Sequence, residues 1–121
     1  MLVSRFLNKQ VAASESEVFR LKGSLDKLSV TLENQSATNT LVYKFQESDD
    51  GTNWTDKELP VSGGSTETQF AITSGNNHMV RIVSDKSRLR LLAYGDLMAG
   101  ISISYNIQTP SDTTPVSIFP S

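Results

Sequence analysis

The sequence predicts an all-β chain, an antiparallel β-sandwich or jelly roll of about seven to nine strands with extended terminal arms. Three observations carry that prediction. Apolar and polar side chains alternate with the strand period in several short segments; these recur about every 8 to 12 residues between clusters of Gly, Asn and Ser; and no stretch holds a helical period. At 121 residues the chain has the length of one domain, enough to bury roughly two-thirds of its unfolded surface around a single core. No internal repeat is visible.

The clearest element is a hairpin over Leu41 to Leu59. From Leu41 to Glu47, Leu41, Tyr43 and Phe45 share one face and Val42, Lys44 and Gln46 the other, as in a half-buried strand. Ser48-Asp49-Asp50-Gly51-Thr52-Asn53 then turns the chain, because Asp bonds its own backbone and Gly51 accepts positive φ. Trp54 opens the return strand. Its ring is expected to fold back over the Tyr43/Phe45 face and close one end of the core.

Taken in order, Glu17 to Lys22 reads as a short strand around Val18, Phe19 and Leu21. Lys27 to Asn34 alternates Leu28, Val30 and Leu32 against Ser29, Thr31 and Glu33. Residues 34–39 lack large apolar side chains and form a loop. After Trp54 the return strand covers Thr55 to Val61, with Pro60 marking an edge or an end because proline donates no ladder bond. Ser62-Gly63-Gly64-Ser65 turns it. Glu67 to Thr73 follows, with Phe70 and Ile72 inward, ended by Ser74-Gly75-Asn76-Asn77. His78 to Ser84 sets Val80 and Ile82 against Met79, Arg81 and Val83. Arg88 to Tyr94 sets Leu89 and Leu91 against Arg88 and Arg90, and Gly95-Asp96 breaks it. Met98 to Ile107 gives the longest alternation, with Ile101, Ile103, Tyr105 and Ile107 against Ser102, Ser104 and Asn106.

This divides the chain into residues 1–24, an N-terminal arm or edge strand; residues 25–107, the sandwich; and residues 108–121, an extended arm. The last segment holds Pro110, Pro115 and Pro120, which fix φ and force an extended course. It also holds Val116, Ile118 and Phe119, apolar side chains that a solvated tail would not need. They either line an edge of their own sandwich or dock on a neighbouring chain as an added strand with pocket anchors. The same two readings apply to Leu2, Phe6 and Leu7. These six are the candidate partner contacts.

The chemical inventory is thin. With no cysteine there is no disulfide, thiolate metal site or Cys nucleophile, and the single histidine, His78, must serve any triad or two-His site. Beside a Gly/Asn turn it is expected to be exposed or capping. Glu47, Asp49, Asp50, Asp56 and Glu58 crowd the hairpin tip, but a convex turn tip is a poor cleft for paired carboxylates, and the spacing is not that of an EF-hand. Gly63-Gly64 lacks the following Lys-Ser/Thr and helix of a phosphate loop. The expectation is therefore no catalytic, cofactor or metal residue and no enzyme. A net charge of -2 disfavours nucleic acid, and no run of about 20 apolar residues suits a membrane. The start lacks the apolar core of a signal peptide. Six acids between Glu47 and Glu67 and four bases between Arg81 and Arg90 form two oppositely charged regions, which either mediate head-to-tail contacts or neutralise each other on adjacent strands.

The run from Tyr43 to Asp56, with its Ser-x-Asp-Gly-x-x-Trp turn, the strand Val80-Arg81-Ile82 and the strand Ile101-Ser102-Ile103-Ser104-Tyr105-Asn106 resembles small structural proteins of tailed bacteriophages. Among these it is most similar to β-sandwich decoration, or cement, proteins of the capsid. The resemblance spans Leu28 to Asn106. It implies a virion protein made in the host cytoplasm and bound to the outer capsid surface, where it bridges subunits of the major capsid protein. Self-association, a trimer included, goes with it, and no active-site residue does. Carbohydrate-binding β-sandwiches also carry a Ser-Asp-Gly turn before a tryptophan. A glycan-binding or host-adhesion module, with Trp54 as stacking platform, is the alternative.

Overall fold

The computed structural model describes residues 2–22, 25–61, 63–84, 86–107 and 117–118, and for residues 2–3, 25–27, 106–107 and 117–118 the backbone course only. The described residues form twelve strands and no helix: β1 (Leu2–Val11), β2 (Ser16–Lys22), β3 (Leu25–Asn34), β4 (Leu41–Ser48), β5 (Thr55–Asp56), β6 (Leu59–Pro60), β7 (Thr66–Glu67), β8 (Gln69–Ile72), β9 (Asn77–Ile82), β10 (Arg88–Tyr94), β11 (Leu97–Ile107) and β12 (Ser117–Ile118). Four of them, β5, β6, β7 and β12, are two residues long, so eight longer strands carry the fold.

Those eight make two antiparallel sheets. One runs β1-β11-β3-β9; the other runs β12-β2-β10-β4, with β5 and β8 both pairing β4. Counted among the eight longer strands only, the orders become first-eighth-third-sixth and second-seventh-fourth-fifth. Except for β4 and β8, which are consecutive among the eight and pair within one sheet, each of these strands is followed across the core by one of the other sheet, the double Greek-key winding of a jelly roll. Residues 1–24 supply β1 at a margin of the four-stranded sheet and β2 within the other. The return from Trp54 is two short pieces, because Pro60 cannot donate and β6 pairs β7 away from β4.

The alternating residues fill the space between the sheets. Val30, Leu32, Ile101 and Ile103 from one sheet meet Phe19, Leu21, Phe45 and Leu91 from the other, all nearly inaccessible to water. Phe19 and Phe45 lie 6.4 Å apart, and Tyr43 sits edge-on to Phe45 at 5.9 Å, geometries that add to simple area burial. In β2 both Val18 and Phe19 are buried, which strict alternation forbids. A bulge reconciles them, since the pairing shifts from Leu91↔Phe19 to Leu92↔Glu17.

Two glycines permit turns that side chains would oppose. Gly95, at φ 153°, would place a Cβ 2.5 Å from the Thr40 carbonyl oxygen, so the β10–β11 turn tolerates no side chain there. Gly51, at φ 80°, turns the hairpin tip.

Asn34 ties the loops together. It is wholly buried, and its Nδ2 donates to the carbonyls of Asn39 and Ile72, both at 2.8 Å, while its Oδ1 accepts from the Ser36 amide at 2.9 Å. A buried amide with these bonds made stabilises the junction of three segments; unpaired, it would cost several times one bond's net worth.

Candidate functional site

The hairpin tip is built from its own side chains. Ser48 Oγ accepts from the amides of Asp50 and Gly51, and Asp50 Oδ1 accepts from those of Thr52 and Asn53, both at 2.8 Å. Bonding to the Asn53 and Thr52 amides, then to the Asn53 and Ser48 side chains, holds the Asp50 carboxyl well below the usual carboxylate range.

Trp54 does not close the core. Asp56 pairs with Gln46, so Trp54, two residues before Asp56, shares the outward face of Gln46 rather than the inward face of Tyr43 and Phe45. Its indole Nε1 donates to the Gly51 carbonyl at 3.2 Å. The ring lies under the guanidiniums of Arg90, 4.2 Å from the centroid, and Arg20, 5.1 Å away, each an attractive cation–π contact.

That contact caps a row crossing the outer face of the six-stranded sheet, Arg20↔Arg90↔Gln46↔Asp56. Arg90 Nε and Nη2 both donate to Gln46 Oε1, at 2.9 and 2.6 Å, and Gln46 Nε2 donates to Asp56 Oδ1 at 2.7 Å. Arg20 pairs with Glu17 at 2.9 Å, and Lys44 reaches Asp56 at 3.5 Å. The Gln46 hydrogen bond lowers the Asp56 carboxyl below its ordinary range, outweighing the opposing cost of burial, with a lesser contribution from the Lys44 charge and hydrogen bond.

Asp49 and Glu47 are likewise engaged. Asp49 meets Lys86 at 3.2 Å, Glu47 meets Lys57 at 3.5 Å and accepts from Ser84. Arg88 donates to the Asp49 carbonyl at 2.7 Å. The acidic hairpin and the basic β10 are therefore neighbours that offset each other. Among the described residues, no group of three or more His, Asp or Glu is placed to hold a metal.

His78 is half-buried rather than exposed. It faces inward from β9, and its Nδ1 is 3.0 Å from Tyr43 Oη. Burial pushes the Tyr43 phenol up to about 12. A cleft of about 590 Å³ opens beside this pair, walled by Leu59, Pro60, Phe70 and Val80, with no acid or nucleophilic hydroxyl among its lining.

The candidate partner contacts fall in different places. Phe6 projects from β1 with 62% of its surface exposed. Leu7, on the opposite face, packs against the core. Leu2 lies in β1 paired with Asn106, and Ile118 lies in β12 paired with Leu21. Val116 and Phe119 lie outside the described residues.

A feature that the alternation pattern held, but that was not singled out, is the outer face of the four-stranded sheet. Its register aligns Phe6↔Ser102↔Thr31↔Met79 in one row, Ser4↔Ser104↔Ser29↔Arg81 on one side and Asn8↔Gly100↔Glu33↔Asn77 on the other. Phe6 and Met79, 62% and 67% exposed, flank a shallow trough of about 440 Å³ floored by Ser29, Thr31, Ser102 and Ser104.

No family model and no curated protein matches the sequence. Among solved structures, the chain is similar to a protein of Bacillus endospore appendages, which form disulfide-linked pili, at 9% identity over 89% of this chain and 88% of that one, with a TM-score of 0.51. The likeness is one of fold. The chain has no cysteine, so a disulfide link is not open to it. PirA, at 14% identity over 85% of this chain and 93% of that one, gives a TM-score of 0.49. A mitogen from Yersinia pseudotuberculosis, at 7% identity over 97% and 94%, gives 0.43. No helix among the described residues is long and apolar enough to cross a membrane.

Proposed function

We propose that the protein is a non-enzymatic structural component of a tailed-phage virion that binds the outer capsid surface and stabilises the shell by bridging neighbouring major capsid protein subunits. A ligand that binds only the assembled shell favours assembly by mass action, so many weak contacts suffice and no reaction is needed. The observation that carries this reading is the placement of β1. Ten residues long, it pairs on one side with β11 and stands at the margin of its sheet, and among the described residues no strand pairs its other edge, where a strand of another chain could add. Leu2, Phe6, Leu7, Val116, Ile118 and Phe119 are the proposed partner contacts, with Phe6 the one whose side chain projects.

A glycan-binding role for Trp54 is disfavoured by the same geometry, since guanidiniums occupy the ring that a sugar would stack on. The test is co-sedimentation with expanded capsid shells. The full chain should pellet with shells and raise their unfolding temperature. A chain ending at residue 107, checked for its β-sheet spectrum, should bind at least tenfold more weakly. Undiminished binding would remove residues 108–121 from the contact, and no binding by the full chain would end the capsid reading.

A further inference from the structure

Of the four large apolar side chains most exposed among the described residues, Phe6, Met79 and Met98 lie on the outer face of the four-stranded sheet, and Val83 follows at the end of β9. The opposite face of the sandwich covers its aromatic ring with its own arginines. Such an apolar, hydroxyl-floored plane is a contact surface without a described occupant.

Its charge pattern selects the occupant. On the three aligned rows there is one base, Arg81, and one acid, Glu33, and they lie on opposite sides of the row Phe6–Ser102–Thr31–Met79, on adjacent strands. A twofold axis laid along that row exchanges the two sides. It sets Phe6 against Phe6 and Met79 against Met79, and it brings Arg81 of each copy beside Glu33 of the other, one strand spacing away. On the three aligned rows no pair of like charges is opposed; Arg5, which also lines the trough, stands exposed at its β1 margin. Ser102 and Thr31 floor the central row with small side chains, while Gln35 lies over Gly100 and donates to Asn8 and Glu33.

We propose that this face is the self-association surface of the protein, closing a twofold dimer with reciprocal Arg81–Glu33 pairs around a Phe6 and Met79 centre. An isologous contact of this kind closes at two copies. The area is adequate. Three strands about 33 Å long and the six-residue β9, about 20 Å long, set about 4.8 Å apart, present roughly 570 Å², so two faces bury on the order of 1,100 Å², the range of weaker, reversible contacts. The dimer covers Phe6 but leaves the outer edge of β1 at its rim, so a dimer would meet a shell through that edge and not through the ring, and the two properties are measured separately.

Sedimentation velocity of the purified chain over micromolar concentrations tests it. The wild type should show a reversible dimer that weakens with rising salt, because the paired charges are at the surface. Arg81→Glu and Glu33→Arg should each weaken dimerisation by about tenfold or more, since each sets like charges together twice. The double variant should recover it. Phe6→Ser should abolish it while leaving the β-sheet spectrum intact and the melting temperature, read at concentrations where the wild type is monomeric, nearly unchanged, because the ring is mostly exposed in the monomer. A wild type that is monomeric throughout, single reversals without effect, or a double variant no better than the singles would each overturn the proposal. A monomer that still binds shells would do so while sparing the capsid reading.

Discussion

The two outer faces of the sandwich are built on opposite plans. Across the six-stranded sheet, Arg20, Arg90, Gln46 and Asp56 bond to one another and roof over Trp54, so the charge and the aromatic ring are committed within the chain. Across the four-stranded sheet, the equivalent row is Phe6, Ser102, Thr31 and Met79, with its apolar ends open to solvent. Where a face bonds within itself, a neighbour gains little by covering it. Where the long side chains stand at the margins of a small-residue floor, a neighbour gains apolar burial without displacing existing bonds. Surface chemistry, more than total charge, thus decides which side of a near-neutral protein associates.

The comparison breaks most sharply at Trp54. Trp54→Ala should destabilise the fold by about 2 kcal/mol, because it removes a half-buried ring and strands two guanidiniums over a void; urea unfolding measures it, and a loss below about 0.5 kcal/mol would mean the roof is ornamental. Next comes Arg90→Met, which keeps bulk but loses the bidentate bond to Gln46 and the ring contact. It should cost about 1 kcal/mol and shift tryptophan emission to the red.

Acid sharpens the contrast. Asp50 and Asp56 both have depressed carboxyls in the folded state, so the stability they confer is present above the ordinary carboxylate range near pH 4 and is lost as pH falls through and below it. Melting temperature should therefore drop with acidification, and Asp50→Asn with Asp56→Asn should flatten that limb; an unchanged slope would show that other carboxyls govern it. The alkaline side depends on Tyr43, whose phenol is raised to about 12. Its contribution is complete below about pH 10 and lost as pH rises toward the folded value, so Tyr43→Phe should extend stability at high pH. Smallest of all is Phe6→Ser, expected to change monomer stability by less than about 0.5 kcal/mol; a larger loss in thermal melts would mean that the ring supports the fold.

Much of the fold was legible because alternation is a local signal. Leu28, Val30 and Leu32 are buried where the pattern puts them, and the strand expected from Arg88 to Tyr94 has those bounds. The jelly-roll order was one of two options, since pairings such as β1 with β11 join distant residues and periodicity does not encode them. Trp54 was misplaced for a simpler reason. The turn length fixes which face the return strand presents, and the pairing of Asp56 with Gln46 decides it. Asn34 reads as a loop opener because nothing local reveals that its amide will reach the Ile72 carbonyl. On β1 the pattern is blurred, as Arg5 and Lys9 stand on the same side as buried Val11 yet escape to solvent at the sheet margin. The outer face with Phe6 and Met79 emerges only when three registers are lined up across four strands.

The pairing of β1 with β11 also bears on how the molecule is born. Leu2 lies opposite Asn106, so β1 leaves the ribosome long before the strand it pairs with and must wait for it before it can zip. Synthesis at about 5 to 20 residues per second leaves that strand solitary for several seconds, with Phe6 uncovered throughout. Force applied at the two ends of that pair, residues 2 and 107, would run the same sequence backwards and peel β1 from β11 one rung at a time.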